Sequence, residues 1–244
     1  MKDISIIFPA YNEVERIEPT IVSYYEALEE MNFSYELLVV DDGSTDDTVL
    51  LIQQLCTRIP NLRLIQCPEN KGKGAAVRVG MLNALGEIRI MTDADGSVEA
   101  DQLDKLLHPI LFEKADVSIG SRYIEGAVVS NPQPLYRRWW SRFANVIIQK
   151  ILLPGILDTQ CGFKAFKASV ATAVFGDTAT NGWSFDLEAL ALAQLKGFQI
   201  QEIPVCWADD ARSKGHLGQL PKTIAELFRI RKQIKHKQLA LEKI

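Results

Sequence analysis

The chain has 244 residues, 47% of them hydrophobic and 24% charged, a balance that buries a sizeable core and excludes both a disordered chain and a small disulfide scaffold. Lys and Arg number 27 against 31 Asp and Glu, a net charge of -4, so the positive field of a nucleic-acid binder is missing and no nucleic-acid partner is expected. The length suits one large α/β unit, taken as residues 1–218, with a C-terminal extension, 219–244.

Short β-branched runs alternate with helical patterns along the chain. Ile4 to Phe8 is the first expected strand, Glu36 to Val40 the second, Leu62 to Gln66 the third, Ile88 to Met91 the fourth and Val117 to Gly120 the fifth. Between them Glu15 to Glu30, Asp46 to Arg58 and Gly74 to Leu85 carry apolar residues at helical spacing. This is the signature of βαβ units on a mostly parallel central sheet with flanking helices. Ligands of such sheets bind beyond the carboxyl ends of the strands, and the residues there are unusually polar: Pro9-Ala10-Tyr11-Asn12-Glu13, Asp41-Asp42-Gly43-Ser44 and Asp93-Ala94-Asp95-Gly96. Asp46 and Asp47 read equally as helix caps. Asp93 and Asp95 do not, because two carboxylates flanking one alanine repel unless a cation or donors sit between them. Hard oxygen ligands of this kind suit Mg²⁺ or Mn²⁺.

Asn70-Lys71-Gly72-Lys73-Gly74 lacks the Gly-Lys-Ser/Thr of a P-loop and the third glycine of a dinucleotide fingerprint. It offers instead a cationic turn into a helix, where Lys73 and free amides would meet an anion. Further on, Arg137-Arg138-Trp139-Trp140-Ser141-Arg142-Phe143 and the apolar residues after it combine cations, indoles and an apolar stripe in the manner of an interfacial helix. Leu220, Ile224, Leu227, Ile234 and Leu241, with basic residues around them, read as a basic amphipathic helix that docks on anionic lipid, with a solvated helix or a dimer contact as its rivals. The four cysteines form no CxxC pair and lie in apolar runs, as reduced buried thiols of a cytoplasmic protein do. The N-terminal residues carry no secretion pattern, and Phe143 to Leu157 is too interrupted to span a bilayer. The three histidines show no ligand spacing, and His216 alone invites a test as an extra diphosphate or metal contact.

Taken in order, Phe8 to Glu13, Val39 to Ser44, Asn70 to Gly74 and Asp93-Ala94-Asp95 resemble the family 2 glycosyltransferases of GT-A fold. Gly120-Ser121-Arg122-Tyr123, Asp158 to Lys164 and Ile203-Pro204-Val205 extend the resemblance to the polyprenyl-phosphate sugar synthases, over roughly residues 3–214, and Asp158 to Lys164 and Gly182 to Glu188 look closer to their glucose-transferring branch. The resemblance implies a nucleotide-sugar pocket of Pro9, Tyr11, Glu13, Val39, Asp41, Lys73, Asp93 and Ala94, with Asp41 reading the base. It implies that Asp93 and Asp95 hold the ribose and a divalent ion, and that Asp95, Arg122 and Asp186 are the catalytic residues. Arg122, Arg137 and Lys214 match phosphate-contacting positions, so the acceptor would be a polyprenyl phosphate. The glutamine that helps the metal in mannose synthases has no counterpart at Gly96-Ser97 and is not carried over. Asp186 matches the catalytic base of hydroxyl-acceptor relatives, while Asp186 and Glu188 read equally as an acid pair favoured by a helix N-terminus.

The activity so implied is an inverting transfer of a hexose, glucose from UDP-glucose, onto a polyprenyl or dolichyl phosphate, at the cytoplasmic face of a membrane with which the chain makes peripheral contact. Two rivals stand beside it: the same fold acting on a carbohydrate or protein hydroxyl, and a non-catalytic nucleotide-sugar binding module.

Overall fold

Strands made of Ile, Leu and Val on both faces are stable only when helices cover both sides, and that is how the chain is arranged. The computed structural model describes residues 2–130, 135–208 and 220–241, without the side chains of 135–141, 143, 220–224 and 240–241. A seven-stranded sheet has the order β3-β2-β1-β4-β7-β5-β8. Its members are β1 (Lys2–Ala10), β2 (Tyr35–Asp41), β3 (Leu62–Gln66), β4 (Gly86–Met91), β5 (Val117–Ser121), β7 (Lys164–Lys167) and β8 (Ile200–Pro204). All neighbours are parallel except β7, which runs antiparallel between β4 and β5. A small parallel pair, β6 (Val128–Ser130) with β9 (Cys206–Ala208), stands beside it.

Alternation along β2 sends Leu37 and Val39 to one core and Leu38 and Val40 to the other. The first core is closed by α1 (Ile17–Glu30), α2 (Thr48–Arg58) and α4 (Leu103–Leu111). The second is closed by α3 (Lys73–Asn83), α5 (Leu135–Ile151), α6 (Ala168–Phe175), α7 (Phe185–Leu195) and α8 (Leu220–Leu241). Each fully buried Ile or Leu contributes about 1.5–3 kcal/mol by leaving water, which fixes the strand register on both faces.

Two expectations change here, and a third, for α5, falls partly outside the described residues. The described part of the C-terminal stripe does not face outward: Leu227 is buried, as is Ile230 beside it, and Ile234 packs on the same core, while the side chains of Leu220, Ile224 and Leu241 lie outside the described residues. The outward residues of α8 include Phe228, Arg229, Arg231, Lys232, Lys235 and Leu239, so its described apolar stripe is occupied by the protein rather than free for lipid. Of the cysteines, Cys161 is buried, Cys56 and Cys67 are half-buried and Cys206 is exposed on β9, all with free thiols. In α5, Ile148 is buried while Arg142 and Val146 are exposed; Trp139 and Trp140 lie outside the described side chains. Among the described residues no helix is long and apolar enough to cross a membrane.

Candidate active site

Strand order places the site. From β1 the chain moves outward to β2 and β3, then returns to lay β4 on the other side of β1, and the crevice at such a reversal lies between the carboxyl ends of the two central strands. Pro9, Ala10 and Tyr11 leave β1 there, and Asp93, Ala94 and Asp95 follow β4. Because β7 runs antiparallel, with Met91 opposite Lys164, its beginning meets the end of β4 and brings Gly162 and Lys164 to the same edge.

A cavity of about 210 Å³ opens at this edge. Of the residues expected in a nucleotide-sugar pocket, Pro9, Tyr11, Glu13, Lys73, Asp93 and Ala94 line it, together with Asp95. Val39 does not: it sits inside β2 with its side chain fully buried in the first core. Asp41 does not either. It is the last residue of β2, almost wholly buried, and its carboxylate accepts the amides of Gly43 (3.2 Å) and Ser44 (3.2 Å). The neighbouring Asp42 takes the place on the wall.

Asp42 also organises the loop before α3, accepting the amides of Lys71 (3.0 Å) and Gly72 (2.7 Å). Gly72 has φ +104°, and a Cβ there would stand 2.6 Å from the Asn181 carbonyl, so the loop needs glycine twice over. The Gly74 amide donates to that same Asn181 carbonyl (2.8 Å). The amides of Lys71, Gly72 and Gly74 are therefore already engaged, and the loop presents the Lys73 side chain to the cavity. Loop 178–181 is held in turn by Glu188, which accepts the amides of Ala179 (3.0 Å) and Thr180 (2.7 Å), and by Arg78, which donates to Asn181 (2.9 Å). Glu188 is thus a loop anchor. The next residues carry Trp183, whose ring is half exposed on the cavity wall.

The charges of the site alternate. Lys73 donates from Nζ to Asp93, and its ammonium stands 5.0 Å from the centroid of the Trp183 ring. Behind Asp93, the buried Lys164 lies 2.9 Å from Asp186 and donates to the Cys161 carbonyl. Burial alone would raise the Asp93 carboxyl, but the Lys73 ammonium, aided by Lys164 and Arg122, holds it below the ordinary range. Asp95 goes the other way, raised by burial and by the Asp93 charge. Asp186 is raised by burial, which its partners Lys164 and Lys73 only partly offset.

These carboxylates fit a divalent ion in two respects. A Cβ on Gly162 would fall 2.1 Å from Asp93 Oδ2, so the carboxylate rests in a cradle that only glycine leaves open. The cation already on Asp93 is the Lys73 ammonium. Mg²⁺ is commonly held by one or two carboxylates that share it with substrate phosphates and water, a contribution that Asp93 and Asp95 can supply.

Arg122, after β5, reaches the same edge but is committed elsewhere. Its Nε (2.7 Å), Nη2 (2.9 Å) and backbone amide (3.0 Å) all donate to the fully buried Asp158. Tyr123 and Trp207 flank its guanidinium at 5.6 and 5.1 Å from their ring centroids, and Arg142 lies 5.8 Å from the Tyr123 centroid. Arg137 belongs to α5, but its side chain lies outside the described residues, as do Lys214 and His216. Sequence reasoning did not assign Arg16, Asp42, Asn70, Trp183 or Lys164. For Trp183 and Lys164 a signal existed, since both lie in the Gly182 to Glu188 and Asp158 to Lys164 runs that carry the family resemblance.

With this geometry in hand, comparison with known proteins is direct. The chain is 36% identical over 236 residues to dolichyl-phosphate beta-glucosyltransferase ALG5C of Trichomonas vaginalis, a match covering 93% of this chain and 70% of that protein. The dolichyl-phosphate beta-glucosyltransferases of Dictyostelium discoideum (35% over 225 residues, 86% of this chain and 68% of that one) and Homo sapiens (33% over 227 residues, 87% and 69%) are similarly related. Among solved structures, glucosyl-3-phosphoglycerate synthase from Mycobacterium tuberculosis, in complex with Mn²⁺, UDP-glucose and phosphoglyceric acid, superposes with a TM-score of 0.69 at 19% identity, covering 95% of this chain and 80% of that chain. TarS of S. aureus gives 0.61 at 18% identity, covering 95% and 65%. These two share the fold, the expected GT-A architecture. The model of glycosyl transferase family 2 matches residues 5–175, and the chain belongs to that family.

Proposed function

We propose that the chain transfers glucose from UDP-glucose, with inversion, onto a polyprenyl or dolichyl phosphate. The names of its relatives support the sugar and the acceptor class. The cavity supports a nucleotide-sugar donor, with Tyr11 and Pro9 as apolar walls for the base and Lys73 as the cation nearest the acidic pair. Asp93 and Asp95 would hold Mg²⁺ or Mn²⁺, which when bound offsets charge building on the departing diphosphate. An acceptor phosphate oxygen forms the new bond to the anomeric carbon, the bond from that carbon to the donor diphosphate breaks, and its electron pair leaves with the nucleoside diphosphate. Attack opposite the leaving group inverts the anomeric centre.

One observation carries the choice of acceptor. Asp186, at the position of a general base, is 4% exposed and ion-paired at 2.9 Å with Lys164, itself 1% exposed. A carboxylate so buried, held against a lysine and absent from the lining of the cavity, is poorly placed to reach the proton of a hydroxyl, whereas a lipid phosphate arrives ionised and needs no base. Arg142 and the outward cations of α8 are the described groups suited to an anionic membrane surface, which a peripheral enzyme of a lipid substrate would meet at the cytoplasmic face.

The test compares Asp186→Asn with Asp95→Asn in polyprenyl-phosphate-dependent turnover, per mole of folded protein. A general base is worth about 10²–10⁴-fold, so a loss under about tenfold for Asp186→Asn beside a loss of 10²-fold or more for Asp95→Asn is the expected result. A loss of about 10²-fold or more in Asp186→Asn would overturn the phosphate acceptor in favour of a hydroxyl.

A further inference from the structure

We infer that Lys73 is a built-in counter-ion for Asp93 which a nucleoside diphosphate must draw away before a divalent ion can settle, so that metal and nucleotide load together rather than in sequence. The inference rests on the donor and metal reading above and adds to it a role for one side chain.

Three features support it. First, Gly162 packs directly against the Asp93 carboxylate, since a Cβ there would fall 2.1 Å from Oδ2, so retreat from the lysine toward Gly162 is closed. Second, the Lys73 backbone cannot move either. The Gly72 amide is bound by Asp42, the Gly74 amide by Asn181, and a Cβ on Gly74 would meet the Thr180 carbonyl and Phe185 Cβ at 2.6 Å. Only the flexible four-carbon side chain is left to respond. Third, that side chain has somewhere to go. It projects into the cavity, with the ammonium above the Trp183 ring, and Tyr11, Asn70 and Asp95 share the same walls.

A divalent ion entering without nucleotide therefore meets an acidic pair of which one member is already neutralised, and the ammonium must leave that carboxylate before the ion can take its place. A diphosphate supplies an anion for the ammonium and leaves Asp93 to the metal. The two ligands then favour one another by a reciprocal factor.

The test is Mn²⁺ binding to the full chain, followed by electron paramagnetic resonance with and without UDP, for wild type and Lys73→Met. Wild type is expected to bind Mn²⁺ weakly alone and at least about tenfold more tightly with UDP, within the usual range of such couplings. Lys73→Met is expected to bind Mn²⁺ alone about tenfold more tightly than wild type, with a smaller further gain from UDP than wild type shows, the part that remains coming from the diphosphate oxygens as ligands. A lysine that served only to bind phosphate or to support the fold would not raise the metal affinity of the nucleotide-free protein. Equal or weaker Mn²⁺ binding by Lys73→Met overturns the inference while leaving the metal reading intact. No Mn²⁺ binding by wild type, with or without UDP, overturns both. Should Lys73→Met fail to fold, a crystal structure of wild type with Mn²⁺ and UDP decides: Nζ on a diphosphate oxygen supports the exchange, and Nζ still on Asp93 refutes it.

Discussion

Asp158→Asn isolates the electrostatic support of Arg122, the arginine proposed for the acceptor phosphate. Asp158 is fully buried and receives Arg122 through Nε, Nη2 and the backbone amide at 2.7 to 3.0 Å, with the Gln160 amide at 3.3 Å. The amide substitution keeps the shape but leaves the guanidinium, 15% exposed, without its counter-charge. Removing one partner of a buried pair costs about 3–5 kcal/mol, and for a chain of this size each kcal/mol moves Tm by about 2–4 °C. The expected fall is therefore roughly 6–20 °C at pH 7 in calorimetry. The pH dependence follows from the sign of the shift. Burial would raise the Asp158 carboxyl, but Arg122 more than reverses this and holds it below its ordinary value. Its contribution is thus complete above the unfolded value of about 4 and is lost as pH falls through the lower folded value. The gap between wild type and variant should be constant near neutrality and narrow under acid. A Tm within about 2 °C of wild type at pH 7, less than 1 kcal/mol at this size, would show that the Arg122 pair does not hold this corner of the fold.

Other substitutions probe the cavity. Gly162→Ala places a methyl group 2.1 Å from Asp93 Oδ2, so the carboxylate must turn away; Mn²⁺ affinity in the presence of UDP should fall by about tenfold or more, while overpacking costs only about 1–3 kcal/mol of stability. Unchanged Mn²⁺ affinity in a titration would separate Asp93 from the metal. Asp42→Ala orphans the Lys71 and Gly72 amides, each worth about 1–3 kcal/mol when left unpaired, and should raise the donor KM by about tenfold; a normal KM would mean that this loop does not shape the donor site. Glu188→Ala, which releases the Ala179 and Thr180 amides, should loosen the segment that carries Trp183, read as faster hydrogen exchange over residues 178–183. Unaltered exchange there would refute its role as anchor.

The first five strands and three connecting helices were legible because each is long enough to show its period, and the third strand agrees residue for residue. β7 was not, since Lys-Ala-Phe-Lys is only four residues and begins with a charge whose burial depends on Asp186, distant in sequence. The acidic edge was legible as a whole but not in detail: nothing in Asp41-Asp42 says which carboxylate faces the cavity, because that depends on where the strand stops and which amides the next loop offers. Helix α8 shows a related limit. Periodicity identifies an apolar stripe on a helix, but whether lipid or the protein's own α7 covers it is decided by tertiary packing. Lys73, expected to meet phosphate, stands on Asp93 for a reason no local pattern contains, since Asp93 reaches it through the βαβ crossover.

The most direct measurement is release of nucleoside diphosphate from a panel of UDP- and GDP-sugars, with Mg²⁺ or Mn²⁺, in the presence and absence of a short polyprenyl phosphate. Turnover of UDP-glucose above the other donors, dependent on the lipid phosphate, is the predicted result; turnover indifferent to the lipid, or none with any donor, would contradict it.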